Sequence, residues 1–147
     1  MHLAQFNIAK MKGLINSPVM KEFNDNLPVI NAIADNADGF IWRLQEENGD
    51  ATGFNPYDDP YLLVNMSVWV DFECLKDYIM KTGHIEFLKR RYEWFEKIET
   101  PNHVMWYVEQ DHTPSLEEAK ERLAYITKHG DTPHAFSIRQ YFSQDDL

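Results

Sequence analysis

The sequence lacks the features that several enzyme classes require. It contains one cysteine, Cys74, so no intrachain disulfide and no C-x-x-C redox site can form. It has no Gly-rich phosphate loop, no G-x-S-x-G and no H-E-x-x-H, which argues against nucleotide hydrolysis, serine hydrolysis and zincin chemistry. No apolar run approaches the roughly 20 residues that span a bilayer, so we expect a cytoplasmic protein with no membrane partner.

Basic residues are also scarce. The chain carries 14 Lys and Arg against 24 Asp and Glu, a net charge of −10, which argues against a nucleic-acid partner. Its 147 residues are the size of one domain, and we expect a single domain over residues 1–147. Aromatic residues make up 14% of the chain, and a surplus of aromatic side chains often lines pockets or subunit interfaces.

Apolar residues alternate with polar ones in several segments and recur at helical spacing in others. Helix start signals precede the helical segments: Ser17-Pro18, Asp71, and Ser115 with Glu118 three residues later. Interleaved strands and helices of this kind favour an α+β fold, a ferredoxin-like antiparallel sheet with helices on one face. The predicted strands are residues 2–10, 40–45, 62–70, 103–109 and 136–142.

One face of the predicted sheet is apolar and the other is polar. The apolar face, which the helices would cover, carries Ala4, Phe6, Ile8, Val64, Met66 and Val68. The opposite face presents Gln5, Asn7, Asn65, Ser67 and Trp69. The last two strands would add Arg139 and Tyr141, with either His103 and Tyr107 or Trp106, because a slip of one residue exchanges those sets.

Short amides, a hydroxyl and aromatic rings on one face are typical of a lined cavity that orients a mostly apolar ligand. A dimer interface is also enriched in aromatic residues and arginine, and a solvated surface is the third interpretation. For Trp69, pocket lining and a place at the edge of the core are both compatible with the pattern. We predict a small apolar or aromatic ligand and a homodimer.

His84 is the candidate reactive group. It begins a predicted helix and shares an apolar stripe with Phe87, Leu88 and Arg91. An imidazole there could serve as an acid–base group or as an axial metal ligand, or it could pack locally against aromatic rings. We predict no dedicated metal site, because the spacing of the other histidines is a weak metal signal.

Several segments resemble a known family: residues 64–69, Tyr78, His84, residues 87–91 with Trp94, and residues 132–136. Together they resemble an uncharacterised bacterial domain family, similar to the antibiotic-biosynthesis-monooxygenase-like proteins of the dimeric α/β-barrel superfamily. The resemblance implies a ferredoxin-like protomer that pairs sheet to sheet with a second copy and encloses a lumen. It implies no particular reaction.

A looser resemblance to the haem-degrading monooxygenases of that superfamily rests on the type and order of Asn7, Trp69 and His84. It implies either haem or no cofactor. The interval from Trp69 to His84 is longer than in those enzymes, and Gly83 interrupts the helix between them.

These observations lead to a hypothesis of a small-molecule monooxygenase, cofactor-free or haem-dependent, with its site in the barrel lumen. The alternatives are a non-catalytic ligand-binding or assembly dimer, and an isomerase on the same fold. The candidate catalytic residues are His84, Asn7 and Trp69. The candidate ligand-binding residues are Gln5, Asn65, Ser67, Trp106 and Arg139.

Overall fold

A computed structural model describes residues 1–45, 52–81 and 84–147 of the chain. Within these residues the chain forms five strands and four α-helices, with 3-10 turns between them. In chain order they are β1 (His2–Met11), α1 (Lys21–Asp35), β2 (Phe40–Arg43), β3 (Leu62–Trp69), α2 (Phe72–Lys81), α3 (His84–Lys89), β4 (Phe95–Glu96), β5 (His103–Val108) and α4 (Leu116–His129).

The sheet is antiparallel, with β1 at its centre. The strand order is β2-β3-β1. On the other side of β1, β5 pairs with residues 2–7 and the short β4 pairs with residues 10 and 11. This strand order, with helices after β1 and β3, is that of a split β-α-β ferredoxin-like unit. The predicted α+β class and antiparallel sheet are therefore confirmed.

Helix α4 covers the apolar face of the sheet. Ala4, Phe6, Val64, Met66 and Val68 form one buried cluster with Val104, Trp106 and Val108 of β5 and with Ala119, Leu123 and Ile126 of α4. The helix begins where the sequence predicts, because the Ser115 Oγ accepts a hydrogen bond from the backbone N–H of Glu118. Burial of this face by the chain itself supplies the main core of the domain.

The other face is covered at its two ends. At one end, Leu3, Trp69 and Met105 pack with Leu75 of α2 and with Phe136 from the C-terminal segment. At the other end, Met11 packs with Phe23 and Leu27 of α1 and with Trp94. Since residues i and i+2 of a strand share a face, the side chains between these ends form a separate strip at the middle of the sheet.

The structure differs from the predictions in two respects. Helices lie on both faces, because an apolar stripe requires burial but does not specify which sheet face a helix covers. Residues 136–142 do not form a strand: only Phe136 pairs with Met105, and a 3-10 turn follows over Ile138–Gln140. Tyr107 holds the chain beyond that turn by donating a hydrogen bond from its Oη to the carbonyl of Phe142, at 2.9 Å.

Helix α1 runs through Pro28 as one element, and the 3-10 turn Pro18–Met20 leads into it after Ser17. Among the described residues, no helix combines the length and the apolar character needed to cross a bilayer.

Candidate functional site

Five polar side chains occupy the uncovered strip of the sheet, and we call them the polar row: Gln5, Asn7, Asn65, Ser67 and His103. Asn7 of β1 lies at the centre, opposite Asn65 of β3 on one side and His103 of β5 on the other. Gln5 lies opposite Ser67. Side chains that face each other across antiparallel strands have their Cβ atoms about 4.5–5.5 Å apart, so the row is continuous across three strands.

The two asparagines of the polar row retain free hydrogen-bond donors. The Gln5 Nε2 donates to the Asn65 Oδ1 at 2.7 Å and to the Ser67 Oγ at 2.8 Å. This leaves the Nδ2 of Asn65 available, and Asn65 is exposed. In the part of the chain that the structure describes, the half-buried Asn7 carboxamide has no hydrogen-bond partner. Two neighbouring carboxamides can therefore donate to a ligand oxygen.

Trp69 shares this face but belongs to the core. Its ring has no exposed surface; it stacks on Tyr78 with the centroids 4.9 Å apart and meets Phe40 edge-on at 5.5 Å. Its Nε1 donates to the Ser67 Oγ at 2.8 Å. Trp69 is thus buried between the sheet and α2. Of the two interpretations, the place at the edge of the core is the one observed, and Trp69 does not line a pocket. A haem lying against Trp69 does not fit this arrangement, because the ring of Trp69 has no exposed surface.

Trp106 lies on the opposite face of the sheet, away from the polar row. It is fully buried beneath α4, and its Nε1 donates to the Glu118 Oε2 at 2.7 Å. The other carboxylate oxygen of Glu118 lies 2.6 Å from the His112 Nε2. Burial raises the pKa of Glu118, but the hydrogen bonds from His112 and Trp106 outweigh it and leave the pKa lowered. The predicted grouping of Trp106 with Asn65 and Ser67 is therefore corrected by the register of β5.

His103 joins the polar row because that register places odd-numbered residues of β5 on the same face as Asn7. Its Nε2 accepts the backbone N–H of Ile138 at 3.3 Å, which requires the neutral imidazole with its proton on Nδ1. Burial lowers the pKa of His103, the charge of Asp131 opposes this shift, and that of Arg139 reinforces it. His103 is consequently a hydrogen-bonding group at neutral pH and not a free base.

Arg139 and Tyr141 reach this region on the C-terminal segment instead of on a strand. Arg139 lies in the 3-10 turn Ile138–Gln140 and is exposed. Tyr141 stacks on Phe72 of α2, with ring centroids 4.0 Å apart. The sequence places both residues beside the sheet correctly but assigns them the wrong local structure.

His84 begins α3, as predicted. Its side chain lies outside the described residues, so its role as a reactive group stays a prediction.

Sequence reasoning missed an ion pair beside the polar row. Arg43 is only 8% exposed, and its Nε donates to the Asp35 Oδ1 at 2.7 Å, which joins β2 to the end of α1. A single arginine in the apolar segment Phe40–Arg43 is the signal that could have revealed it. Tyr78 lies near this pair, and burial raises its pKa far above the usual range, so it stays protonated.

An open, apolar depression lies on α1, apart from the polar row. It is lined by Pro28, Val29, Ala32, Ile33 and Asn36, and includes none of the predicted site residues. Among the described residues, no group of three or more His, Cys, Asp or Glu side chains is arranged to hold a metal ion.

Comparison with known protein families identifies the family of the chain. The family model described as "Domain of unknown function (DUF3291)" matches residues 2–147. The chain belongs to this family. The resemblance predicted from the sequence, to an uncharacterised family, is confirmed for the DUF3291 chain. No curated protein matches it.

Solved structures similar to the DUF3291 chain share its fold at low identity. One is SnoaB, a cofactor-independent oxygenase from Streptomyces nogalater, with a TM-score of 0.53 and 15% identity over 74% of this chain and 94% of that one. Another is NE2512, a protein of unknown function from Nitrosomonas europaea, with a TM-score of 0.54 and 12% identity over 78% and 95%. At these identities the likeness establishes the fold alone.

Proposed function

We propose that the DUF3291 chain is a small-molecule oxygenase that needs no bound cofactor and holds an electron-rich substrate on the polar row. The observation that supports this most directly is the pair of unused donors on Asn7 and Asn65, which face each other across β1 and β3. A likeness in fold to a cofactor-independent oxygenase adds to it.

The proposed chemistry begins with an acidic phenol or enol. Its anion is electron-rich enough to reduce O₂, and its negative oxygen would lie against the amide N–H groups of Asn7 and Asn65, which stabilise developing charge where water is excluded. One oxygen atom of O₂ then enters the substrate, and the other leaves as water with two substrate hydrogens. The protein therefore contributes orientation and charge stabilisation rather than a redox group.

The titratable neighbours of the row favour a substrate that is already acidic. His103 is neutral and holds the backbone N–H of Ile138. Burial raises the pKa of Tyr107, as it does that of Tyr78, so both phenols stay protonated and neither is a base. A phenol or enol that gives its proton to water suits such a site, because the amide donors of the row stabilise the anion that remains.

Oxygen uptake tests this proposal. With phenols and enolisable ring ketones as probes, Asn7→Ala and Asn65→Ala should each lower kcat/KM by about tenfold or more, since each removes a donor to the developing anion. Asn16→Ala, which changes an exposed asparagine outside the row, is the matched control and should leave the rate unchanged. Absence of uptake with every probe, or equal rates in all three variants, would overturn the proposal.

The same experiment separates the alternatives. Binding of a probe without oxygen consumption indicates a ligand-binding protein. Conversion without oxygen, with a bell-shaped pH dependence of the rate, indicates an isomerase.

A second copy of the chain, and a cytoplasmic location, are part of the proposal. The Asn65 end of the row is exposed in one chain, and a partner over it would exclude water. Sedimentation equilibrium should give twice the chain mass of 17.4 kDa. A monomer would remove the second copy from the proposal without affecting the role of the two asparagines.

A further inference from the structure

Arg139 differs from the other four arginines in having no partner among the residues that the structure describes. Within the described residues its guanidinium makes no hydrogen bond and no ion pair, although the chain carries ten more negative than positive charges. An unpaired arginine in so acidic a protein is available to a ligand. The other four arginines each donate hydrogen bonds: Arg43 to Asp35, Arg90 to Glu22 and Glu93, Arg91 to the carbonyl of Leu88, and Arg122 to the carbonyl of His134.

The backbone places Arg139 at the His103 end of the polar row. Phe136 exchanges backbone hydrogen bonds with Met105, at 2.8 and 3.0 Å, which anchors the C-terminal segment to β5. Two residues on, the Ile138 N–H donates to the His103 Nε2. Arg139 follows directly in the 3-10 turn, beside the strand partner of Asn7.

The charges around the His103 end of the polar row favour the binding of one anionic group. The polar row itself carries no charge while His103 is neutral, so it offers nothing that would repel an anion. Asp131 is the carboxylate whose charge acts on His103, and its Oδ1 already accepts the backbone N–H of Ser137 at 2.6 Å. Arg139 is then the cation that offsets the repulsion an anion meets from a protein of net charge −10.

We propose that the substrate carries a carboxylate in addition to its phenol or enol, and that Arg139 binds this carboxylate while Asn7 and Asn65 hold the other oxygen. The role of Asn7 and Asn65 in this inference rests on the proposed function, whereas the binding of a carboxylate by Arg139 does not. Arginine suits this binding, because its planar guanidinium binds a carboxylate through two parallel hydrogen bonds. The substrate class is thus an electron-rich aromatic or enolic acid.

A pair of probes, an acid and its uncharged methyl ester, tests the proposal. They are 2,5-dihydroxybenzoate and its methyl ester, with dissociation constants measured by titration calorimetry on the full chain. The acid should bind about tenfold tighter than the ester, because a charge-assisted pair with an arginine is stronger than a neutral contact. Arg139→Gln should remove that difference and leave the affinity for the ester unchanged.

Arg91→Gln is the control variant, since it changes the net charge equally and Arg91 donates only to the carbonyl of Leu88 among the described residues. It should retain the preference for the acid. Equal affinities for acid and ester, no binding of the acid, or an equal loss in both variants would overturn the proposal. Binding of the acid through Arg139 without oxygen uptake would contradict the oxygenase and leave the carboxylate site standing. Oxygen uptake that is as fast with the ester as with the acid, and independent of Arg139, would contradict the carboxylate site and leave the oxygenase standing.

Discussion

At the scale of single residues, the hydroxyl of Ser67 organises the polar face. Its Oγ accepts hydrogen bonds from the Trp69 Nε1 and from the Gln5 Nε2, both at 2.8 Å. The indole is thereby satisfied inside an apolar cluster, and Gln5 is held in the orientation that also engages Asn65. Because Gln5 is used in this way, the amide groups of the row that keep free donors among the described residues are those of Asn7 and Asn65.

His103 makes the stability of the protein depend on pH. Burial lowers its pKa from the ordinary 6.5, so the unfolded chain binds a proton that the folded chain resists. The stabilisation is complete above pH 6.5 and is lost as the pH falls below it. We expect the free energy of unfolding in urea to decrease between about pH 7.5 and about pH 5.5, and to decrease less in His103→Gln.

Asn102→Ala is the control for this prediction. It removes a side chain whose Oδ1 lies 3.4 Å from the His103 Nδ1 but keeps the titrating imidazole, so the pH dependence should stay close to that of the wild type. An unchanged pH dependence in His103→Gln would show that another group is responsible.

The residues of the candidate site were predictable to different degrees. Strand alternation is enough to group Gln5, Asn7, Asn65 and Ser67, and the observed register agrees. Strand alternation does not predict that α2 packs on the sheet and buries Trp69 under Tyr78, because that contact depends on tertiary packing. The register of β5, which removes Trp106 from the row and adds His103, is set by cross-strand pairing and not by the segment itself.

At the scale of elements, α2 is brought close to the turn that precedes β2. Gly39 has a φ of 80°, and a Cβ at this position would overlap the side chain of Cys74 in α2. The turn therefore needs glycine for its backbone conformation and for the space it leaves to the helix.

Gly39→Ala should destabilise the protein more than Gly130→Ala. Gly130 has a φ of 74°, and beyond its chain neighbours no atom of the described residues lies within 4 Å of the added Cβ. Its replacement therefore measures the backbone cost alone, about 1–3 kcal/mol. Gly39→Ala adds the overlap with Cys74, which we expect to cost about 1–3 kcal/mol more. Chemical denaturation of both variants gives the difference. A Gly39→Ala protein as stable as Gly130→Ala would mean that α2 is not packed against this turn.

The elements themselves were largely predictable, and their placement was not. The cap at Ser115 and the alternation in β3 indicate an element from a few neighbouring residues. The assignment of 136–142 as a strand is wrong, because the chain there pairs with β5 at Phe136 only and then turns. Likewise, the side of the sheet that α4 covers depends on how the chain crosses over after β5.

At the scale of the whole molecule, the C-terminal segment closes the fold. It packs Phe136 and Phe142 into the cluster around Leu3 and Trp69, and Tyr107 donates to the carbonyl of Phe142. The end of the segment also meets the beginning of the chain, where the Met1 amino group donates to the Gln144 Oε1 at 3.2 Å. Residues 138–147 therefore act as a strap across one end of the polar face.

Removal of residues 138–147 should expose that cluster while leaving the core beneath α4 in place. We expect a loss of about 2–4 kcal/mol in the free energy of unfolding. The truncation removes the rings of Tyr141 and Phe142 from the sheet, together with the hydrogen bonds that Ile138, Phe142 and Gln144 make with the rest of the chain. Binding of an environment-sensitive dye should rise, because Phe72 and Tyr107 lose their cover. Removal of residues 144–147 alone takes away only contacts at the chain ends, and its effect should be small. If the two truncations were equally stable, the segment beyond Ser137 would not be the cover of this face, and the His103 end of the polar row would be open in solution.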